Sequence, residues 1–383
     1  PTWQFHDANW FPDFPTSARK LRWFYDASGG PSVDAVVAVN APVIEDILAL
    51  TGPIAIGEHA FSATDVLTVL TDTVEDPRAR ATGKPKAIIA ALAPEILHRL
   101  LALRTTDGAM RLALLDRFLR ALDERDILIA FTDDAVQRAA LAAGWGGAIR
   151  PAPRDALLVV HTNLGGGKSD ARMREHTTHR ADILDDGSVI DTVTVTRSHI
   201  GGLDDRSTPS ELLAKLPNVD FLRLYVPRGS TLLTATGFTA PPREAFEPAP
   251  SDAIPDRDLL AIELQESIDS ATGLRVTEEF GRTAFGGWVH IPPGSAKSIT
   301  VTYRLPWRYD GTSRAPSGDP QSYSVRIEQQ PGTRPTVQHT IHASPRWQIP
   351  WHTENLRASG PNTWTFSDVL TTDRFTGVLV APK

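Results

Sequence analysis

Among its 383 residues the chain has no cysteine and only two methionines. Disulfides, thiolate metal sites and a cysteine nucleophile are therefore excluded. No run approaches the ~18 consecutive apolar residues of a membrane-spanning helix, and there is no secretory signal peptide. An excess of basic residues is also missing. The formal net charge is -7, which argues against general nucleic-acid binding, because that needs a basic face. There is no Rossmann fingerprint, nucleophile elbow or zincin motif, and no convincing internal repeat. The chain starts at Pro1 without a methionine. It is expected to be processed or cut from something longer, with any export signal or anchor upstream.

What is present describes a globular protein of more than one domain. The apolar fraction of 41 % is ordinary for such a protein, and the length is too great for one compact core. The organising stretch is Val33 to Ile56. Val33 to Val39 is nearly all apolar, as a strand covered on both faces would be. Asn40 can cap the following helix, and Pro42 fits its first turn. Val43, Ile44, Ile47 and Leu48 recur at helical spacing. Thr51-Gly52-Pro53 stops the helix, and Ile54 to Ile56 restart as strand. This reads as a βαβ-type seed with a sheet behind it. Helices are predicted from Thr16 or Ser17, over Ile88 to Leu103 with a kink or break at Pro94, and over Asp107 to Arg125. A strand over Ile127 to Phe131 leads to a helix capped by Thr132.

Arg150-Pro151-Ala152-Pro153-Arg154 is the clearest linker. Beyond it the period changes from helical to two. Met173 to Ile183 and Val189 to His199 alternate as a hairpin across Asp185-Asp186-Gly187. Further short strands are predicted through residue 343, and the last 60 residues continue the pattern. The expected architecture is an α/β layered domain over 1–152 followed by an all-β sandwich over 153–383, with an inserted polar stretch near 238–258.

Several residue groups are candidate chemistry. Asp7, Asn9 and Asp13 form either a polar cluster at a site mouth or turn and cap chemistry. Arg78, Arg80, Lys84 and Lys86 fall in one short loop before a helix. Four cations beside unpaired backbone N–H groups can hold a phosphate or pyrophosphate; the alternative is a solvated basic loop. The glycine run of Asn163 to Asp170, NLGGGKSD, fails as a Walker loop on spacing and on the strand that follows. It reads as a flexible turn from which Asn163, Lys168 and Asp170 can face a ligand. His176 and His179 suggest a metal pair, but on a strand their odd separation points them to opposite faces. No metal site is expected from them. A glycosidase-type pair of carboxylates remains open, since its separation belongs to the fold.

Three pieces together resemble one family. They are DANWFPDFPTSARKLRWFY with VDAVVAVNAPVIEDILALTGPI, then NLGGGKSD, then FLRLYVPRGSTLL with FGGWVHIPPGSAKSITVTYRLP. In that order they resemble the bacterial domain of unknown function 4012 family. The resemblance implies an exported protein, held at the cell envelope by a membrane helix outside this chain. It also implies an α/β portion before the DANW segment, which this chain lacks, so that part of the first domain is expected to be either absent or supplied by a separate chain. The order strand, helix, Gly-Pro turn, strand, helix, basic loop and long helix is more distantly similar to LytR-CpsA-Psr phosphotransferases, which move a glycan from a lipid pyrophosphate to the cell wall. In that comparison Arg78, Arg80 and Lys84 fall where the pyrophosphate is held.

The functional expectation is an extracytoplasmic envelope protein that binds or acts on a surface glycan or lipid-linked glycan. One alternative is a glycan phosphotransferase, with Arg78, Arg80 and Lys84 as the clamp and Asp7 or Asp13 as base or holder of a divalent metal such as magnesium. The other is a glycoside hydrolase acting on envelope polysaccharide. Asn163 and Lys168 are the remaining substrate-binding candidates.

Overall fold

The computed structural model describes residues 3–103, 108–165, 168–201, 208–246, 248, 250–309 and 321–383. The chain divides into two compact units. One, here the helical unit, comprises Gln4–Ala148 with Asp204–Lys215. The other, the β body, comprises Pro1–Trp3, Ile149–Leu203 and Leu216–Lys383.

In the helical unit a 3₁₀ turn leads to α1 (Phe14–Ala27), capped by Asp13, whose carboxylate accepts from the Thr16 N–H. Then come β1 (Ala35–Val39), α2 (Ala41–Thr51), β2 (Ile54–Ile56) and β3 (His59–Phe61). They are followed by α3 (Val66–Glu75), α4 (Pro77–Ala81), α5 (Ala87–Leu103), α6 (Gly108–Asp123), β4 (Ile127–Phe131) and α7 (Asp134–Ala142). α5 continues through Pro94 as one element. The cap of α7 is Asp133, not Thr132; its carboxylate accepts from the N–H groups of Ala135 and Val136.

The organising stretch has the expected elements but not the expected sheet. β1 pairs antiparallel with β4, Val37 opposite Ile129, while β2 folds back on β3 as a separate hairpin. There is no βαβ unit in the two-stranded sheet. Val36, Ala38, Leu128 and Ala130 pack on Phe14 and Ala18 of α1. On the opposite face Val37 and Val39 stay 54 % and 52 % exposed. The uniformly apolar strand is therefore covered on one face and lines an open cleft on the other. A further helix, α8 (Pro209–Ala214), belongs to this unit although it lies far along the sequence. The Ser210 N–H donates to Asp72 Oδ1 of α3 at 2.7 Å.

The β body begins with β5 (Asp155–Val160), β6 (Met173–Ile183), β7 (Ser188–His199), β8 (Asn218–Pro227), β9 (Thr231–Thr236), β10 (Ser267–Ile268), β11 (Arg275–Glu279) and β12 (Arg282–Ile291). It continues with β13 (Ala296–Arg308), β14 (Gln321–Glu328), β15 (Thr336–Ala343), β16 (Trp347–His352), β17 (Arg357–Gly360), β18 (Thr363–Val369) and β19 (Arg374–Pro382). Eight strands form one sheet, β10-β11-β12-β8-β5-β14-β19-β16, and seven the other, β17-β18-β15-β6-β7-β13-β9. Both sheets are mixed: β14 runs parallel to β5, and β15 parallel to β6.

The two sheets share one apolar core, with Leu157, Leu222, Phe285 and Tyr323 from the first and Ala181, Val193, Val301 and Ile341 from the second. The β6–β7 hairpin forms with the expected ends. Gly187 at its turn has φ +80°, and a Cβ there would lie 2.0 Å from the Tyr309 carbonyl oxygen. Only glycine fits that approach. Within the stretch expected as an insertion, the described part of 238–258 contains a short 3₁₀ turn, Arg243–Ala245, and no strand. α9 (Arg257–Glu263) begins at the end of that stretch. No described helix is long and apolar enough to cross a membrane.

Candidate functional sites

The residues singled out from the sequence fall into both units. Asp7 is exposed and closes a capping box with Gln4, accepting its N–H at 3.0 Å. Asp13 is buried and also accepts from the Thr16 hydroxyl at 2.7 Å. Both carboxylates are thus engaged in starting helices. Arg78 and Arg80 lie on α4, a short helix in place of the expected loop, and Lys84 and Lys86 follow it. All four cations are exposed. Asp76 caps α4, and Arg80 pairs with Glu75. This cluster stands open to solvent.

An apolar cavity in the helical unit lies elsewhere, on the open face of the β1–β4 sheet. It is a cleft of about 460 Å³. Val37, Val39, Ile47, Leu97, Leu114 and Phe118 are among its lining residues, drawn from β1, α2, α5 and α6. Its two charged lining residues, Asp46 and Arg117, pair with each other. The volume falls within the ~300–1,000 Å³ of small-molecule sites, which are mostly apolar with a few polar groups.

In the β body the glycine-run loop is anchored to a buried ionic network. His161, just past β5, places Nδ1 2.7 Å from Asp220 Oδ2 of β8 and Nε2 2.6 Å from Glu175 Oε2 of β6. Arg197 of β7 donates to Asp220 at 2.7 Å, to Asn218 at 2.9 Å and to Asp170 at 3.2 Å. The Thr162 N–H donates to Asp220 Oδ1 at 2.7 Å. Asn163 Nδ2 donates to Ser169 Oγ at 3.2 Å, and Asn218 Nδ2 donates to the same hydroxyl and to Asp170.

So Asn163 and Asp170 are brought together around Ser169, while Lys168 between them is exposed. The network residues His161, Glu175, Arg197, Asn218 and Asp220 escaped the sequence reading. A signal existed: Glu175 and Arg197 fall in phase with the inward apolar residues of their alternating strands, as Thr177 and Val195 do.

Burial and the Arg197 guanidinium both press the His161 proton off. Glu175 and Asp220 outweigh them and raise its pKa to about 9. The same contacts with His161 overcome burial at Glu175 and Asp220, leaving both below the usual carboxylate range. A histidine raised on folding contributes stability that is complete below its unfolded pKa of ~6.5 and is lost as the pH passes its folded pKa. The β body is therefore expected to lose on the order of 3 kcal/mol between pH 6.5 and 10 from this group. Melting temperature followed over that range should fall more steeply in the wild type than in His161→Gln. Parallel curves would remove His161 as the cause.

Metal-capable side chains converge at one place among the described residues, Asp155, His179 and Asp191 inside the β body. His176 points outward and His179 inward, as their odd separation on β6 requires.

The fold and these sites define a two-unit protein: a helical unit holding an apolar cleft, and a mixed-sheet β body with charged networks in its interior. Residues 1–74 match the model of a protein family of unknown function, DUF4012, so the resemblance read in that segment holds. No curated protein matches the sequence. Among solved structures, a putative nutrient binding protein from Legionella pneumophila is 8 % identical, with 60 % of this chain and 72 % of that one covered and a TM-score of 0.30. An M1 zinc metallopeptidase mutant from Deinococcus radiodurans, bound to a Tyr-Ser-Ala substrate, is 10 % identical over 56 % of this chain and 43 % of that one, with a TM-score of 0.25. Neither likeness is close enough to carry a functional argument.

Proposed function

We propose that this chain is an extracytoplasmic envelope protein that binds a lipid-linked glycan and takes the lipid chain into the cleft of its helical unit. The observation that carries this reading is the cleft itself. It is about 460 Å³ in volume and lined by aliphatic and aromatic side chains, and among the described residues its two charged lining residues, Asp46 and Arg117, neutralise each other. Such a surface gains by excluding water from an apolar ligand and offers little to a free sugar. The envelope location rests on the family resemblance.

The phosphotransferase alternative would require Arg78, Arg80 and Lys84 to surround a pyrophosphate, with Asp7 or Asp13 beside it. The three cations are exposed, and both carboxylates cap helices. Binding is accordingly the reading favoured over transfer. A bound glycan headgroup would lie outside the cleft, and no described residue is assigned to it here.

The test uses a fluorescent short-chain polyprenyl-phosphate glycan and the same glycan without its lipid. The wild type should bind the first and not the second. Val39→Glu and Leu97→Glu change half-exposed lining positions, so both should fold. A carboxylate facing the lipid chain should weaken binding by about tenfold or more, corresponding to ~1.4 kcal/mol. Equal affinity in these variants, or tight binding of the lipid-free glycan, would overturn the reading.

A further inference from the structure

The inward face of the β body carries a second polar cluster, separate from the His161 network. Asp155 is on β5 of one sheet; His179 and Asp191 are on β6 and β7 of the other. All three are buried, at 3 %, 1 % and 0 % exposure. His179 Nε2 lies 3.8 Å from Asp155 Oδ2 and 3.7 Å from Asp191 Oδ2. The Tyr323 hydroxyl donates to Asp155 Oδ2 at 2.5 Å. Among the described residues, Asp155 Oδ1, both Asp191 oxygens and both His179 nitrogens have no hydrogen-bond partner within 3.5 Å, although Asp191 also feels the Tyr303 hydroxyl and the Asp155 carboxyl as looser polar neighbours. Tyr303 and Tyr323 are buried near the two carboxylates. The ring of His339 on β15 stacks on His179 with centroids 4.8 Å apart.

Buried polar atoms are nearly always satisfied, and a group of unsatisfied ones calls for a missing partner. A proton shared by the two carboxyls would satisfy one pair of oxygens and leave His179 with nothing. One ion satisfies all three side chains together. Donor atoms 3.7–3.8 Å apart are spaced as ligands about 2.1 Å from one centre, subtending roughly 125° there. We infer that Asp155, His179 and Asp191 form a binding site for a single divalent transition-metal ion, of the zinc or manganese class, which ties the two sheets of the β body together.

The ligand chemistry selects the class. Two carboxylates and an imidazole suit a borderline cation, whereas calcium and magnesium favour all-oxygen shells. A doubly charged ion also balances the two carboxylates. The ion's position between the sheets makes its role structural, with entry during folding.

The experiment is metal analysis of the full chain, purified without chelator or a histidine tag. Roughly one equivalent of zinc or manganese per chain is expected. Asp191→Asn, which preserves side-chain shape, and His179→Ala should each retain less than about a tenth of that content. His176→Ala, on the outward face of the same strand, should retain it all. Should His179→Ala fail to fold, refolding the wild type gives the second measurement. Refolding with cobalt(II) should produce visible absorption bands that Asp191→Asn lacks, and refolding with zinc or manganese should raise the melting temperature above that obtained with chelator. Wild-type protein carrying no ion, with the same melting temperature after refolding in chelator and in each metal, would overturn the site. Stoichiometric calcium or magnesium would overturn the assigned class.

Discussion

Asp220→Ala is expected to destabilise the β body by roughly 3–5 kcal/mol, the cost of stripping one partner from a buried ionic network. Asp220 is wholly buried. It accepts from the Thr162 N–H and from Arg197 and lies against His161 Nδ1. Its removal leaves two cations, His161 and Arg197, facing one nearby buried carboxylate, Glu175. The imbalance, more than the lost hydrogen bonds, is the source of the penalty. Asp220→Ala combined with Arg197→Met should therefore be less destabilised than the sum of the two single changes, because it leaves His161 and Glu175 as a neutral pair. Urea denaturation of the four proteins measures this coupling. Strict additivity would show that the network's charges do not depend on one another. The glycine-run loop should loosen along with the network, since Ser169 and Asp170 are tied to it through Asn218 and Arg197. Faster amide exchange at Ser169 in Asp220→Ala would report that.

Trp347→Ala should cost a comparable ~3–5 kcal/mol, the range for truncating a buried tryptophan. Trp347 is the largest fully buried side chain in the molecule's described core. It lies on β16 at the end of the eight-stranded sheet. Its indole Nε1–H donates to the Leu184 carbonyl at 2.7 Å, and Leu184 lies in the β6–β7 turn of the other sheet. Its ring also packs against Tyr309, with centroids 5.9 Å apart. The substitution opens a cavity where the sheets meet and removes one of the two donors to the Leu184 carbonyl, which keeps the Gly187 N–H at 2.9 Å. Trp347→Phe should recover most of the packing and not the hydrogen bond, falling between the two. A denaturation midpoint for Trp347→Ala within error of the wild type would mean that this end of the sandwich collapses freely around the gap.

Much of the β body was legible because alternation is a local signal. Thr336–Ala343 and the β6–β7 hairpin have the expected ends, since one face of each strand is dry and a turn residue marks its close; Thr231–Thr236 also has the expected ends, although none of its residues is fully buried. The helical unit was read less accurately. Val33–Val39 looked like a strand covered on both faces, and its outer face proved to be the wall of a cleft. Apolar composition reports affinity for a dry surface and is silent on whether protein or ligand provides it. α8 was missed, being a single turn and a half whose place depends on Asp72 rather than on its own periodicity.

The candidate sites divide along the same line. Asp7, Asp13 and the cations around α4 were visible as types and spacings, and each finds a local use in capping or solvation. The groups that converge come from separate strands. His161, Glu175, Arg197 and Asp220 lie on or beside four strands, and Asp155, His179 and Asp191 on three.

By itself the amino-acid sequence determined where the chain alternates, where it coils into helices, where it turns, and that no thiol chemistry takes part. Those are properties of residues a few positions apart. Only the tertiary structure decided which strands pair, which apolar faces remain open, and which inward polar residues meet. Those outcomes depend on packing between segments far apart in sequence, where burial raises the cost of every unpaired charge and so selects which partners must stand together.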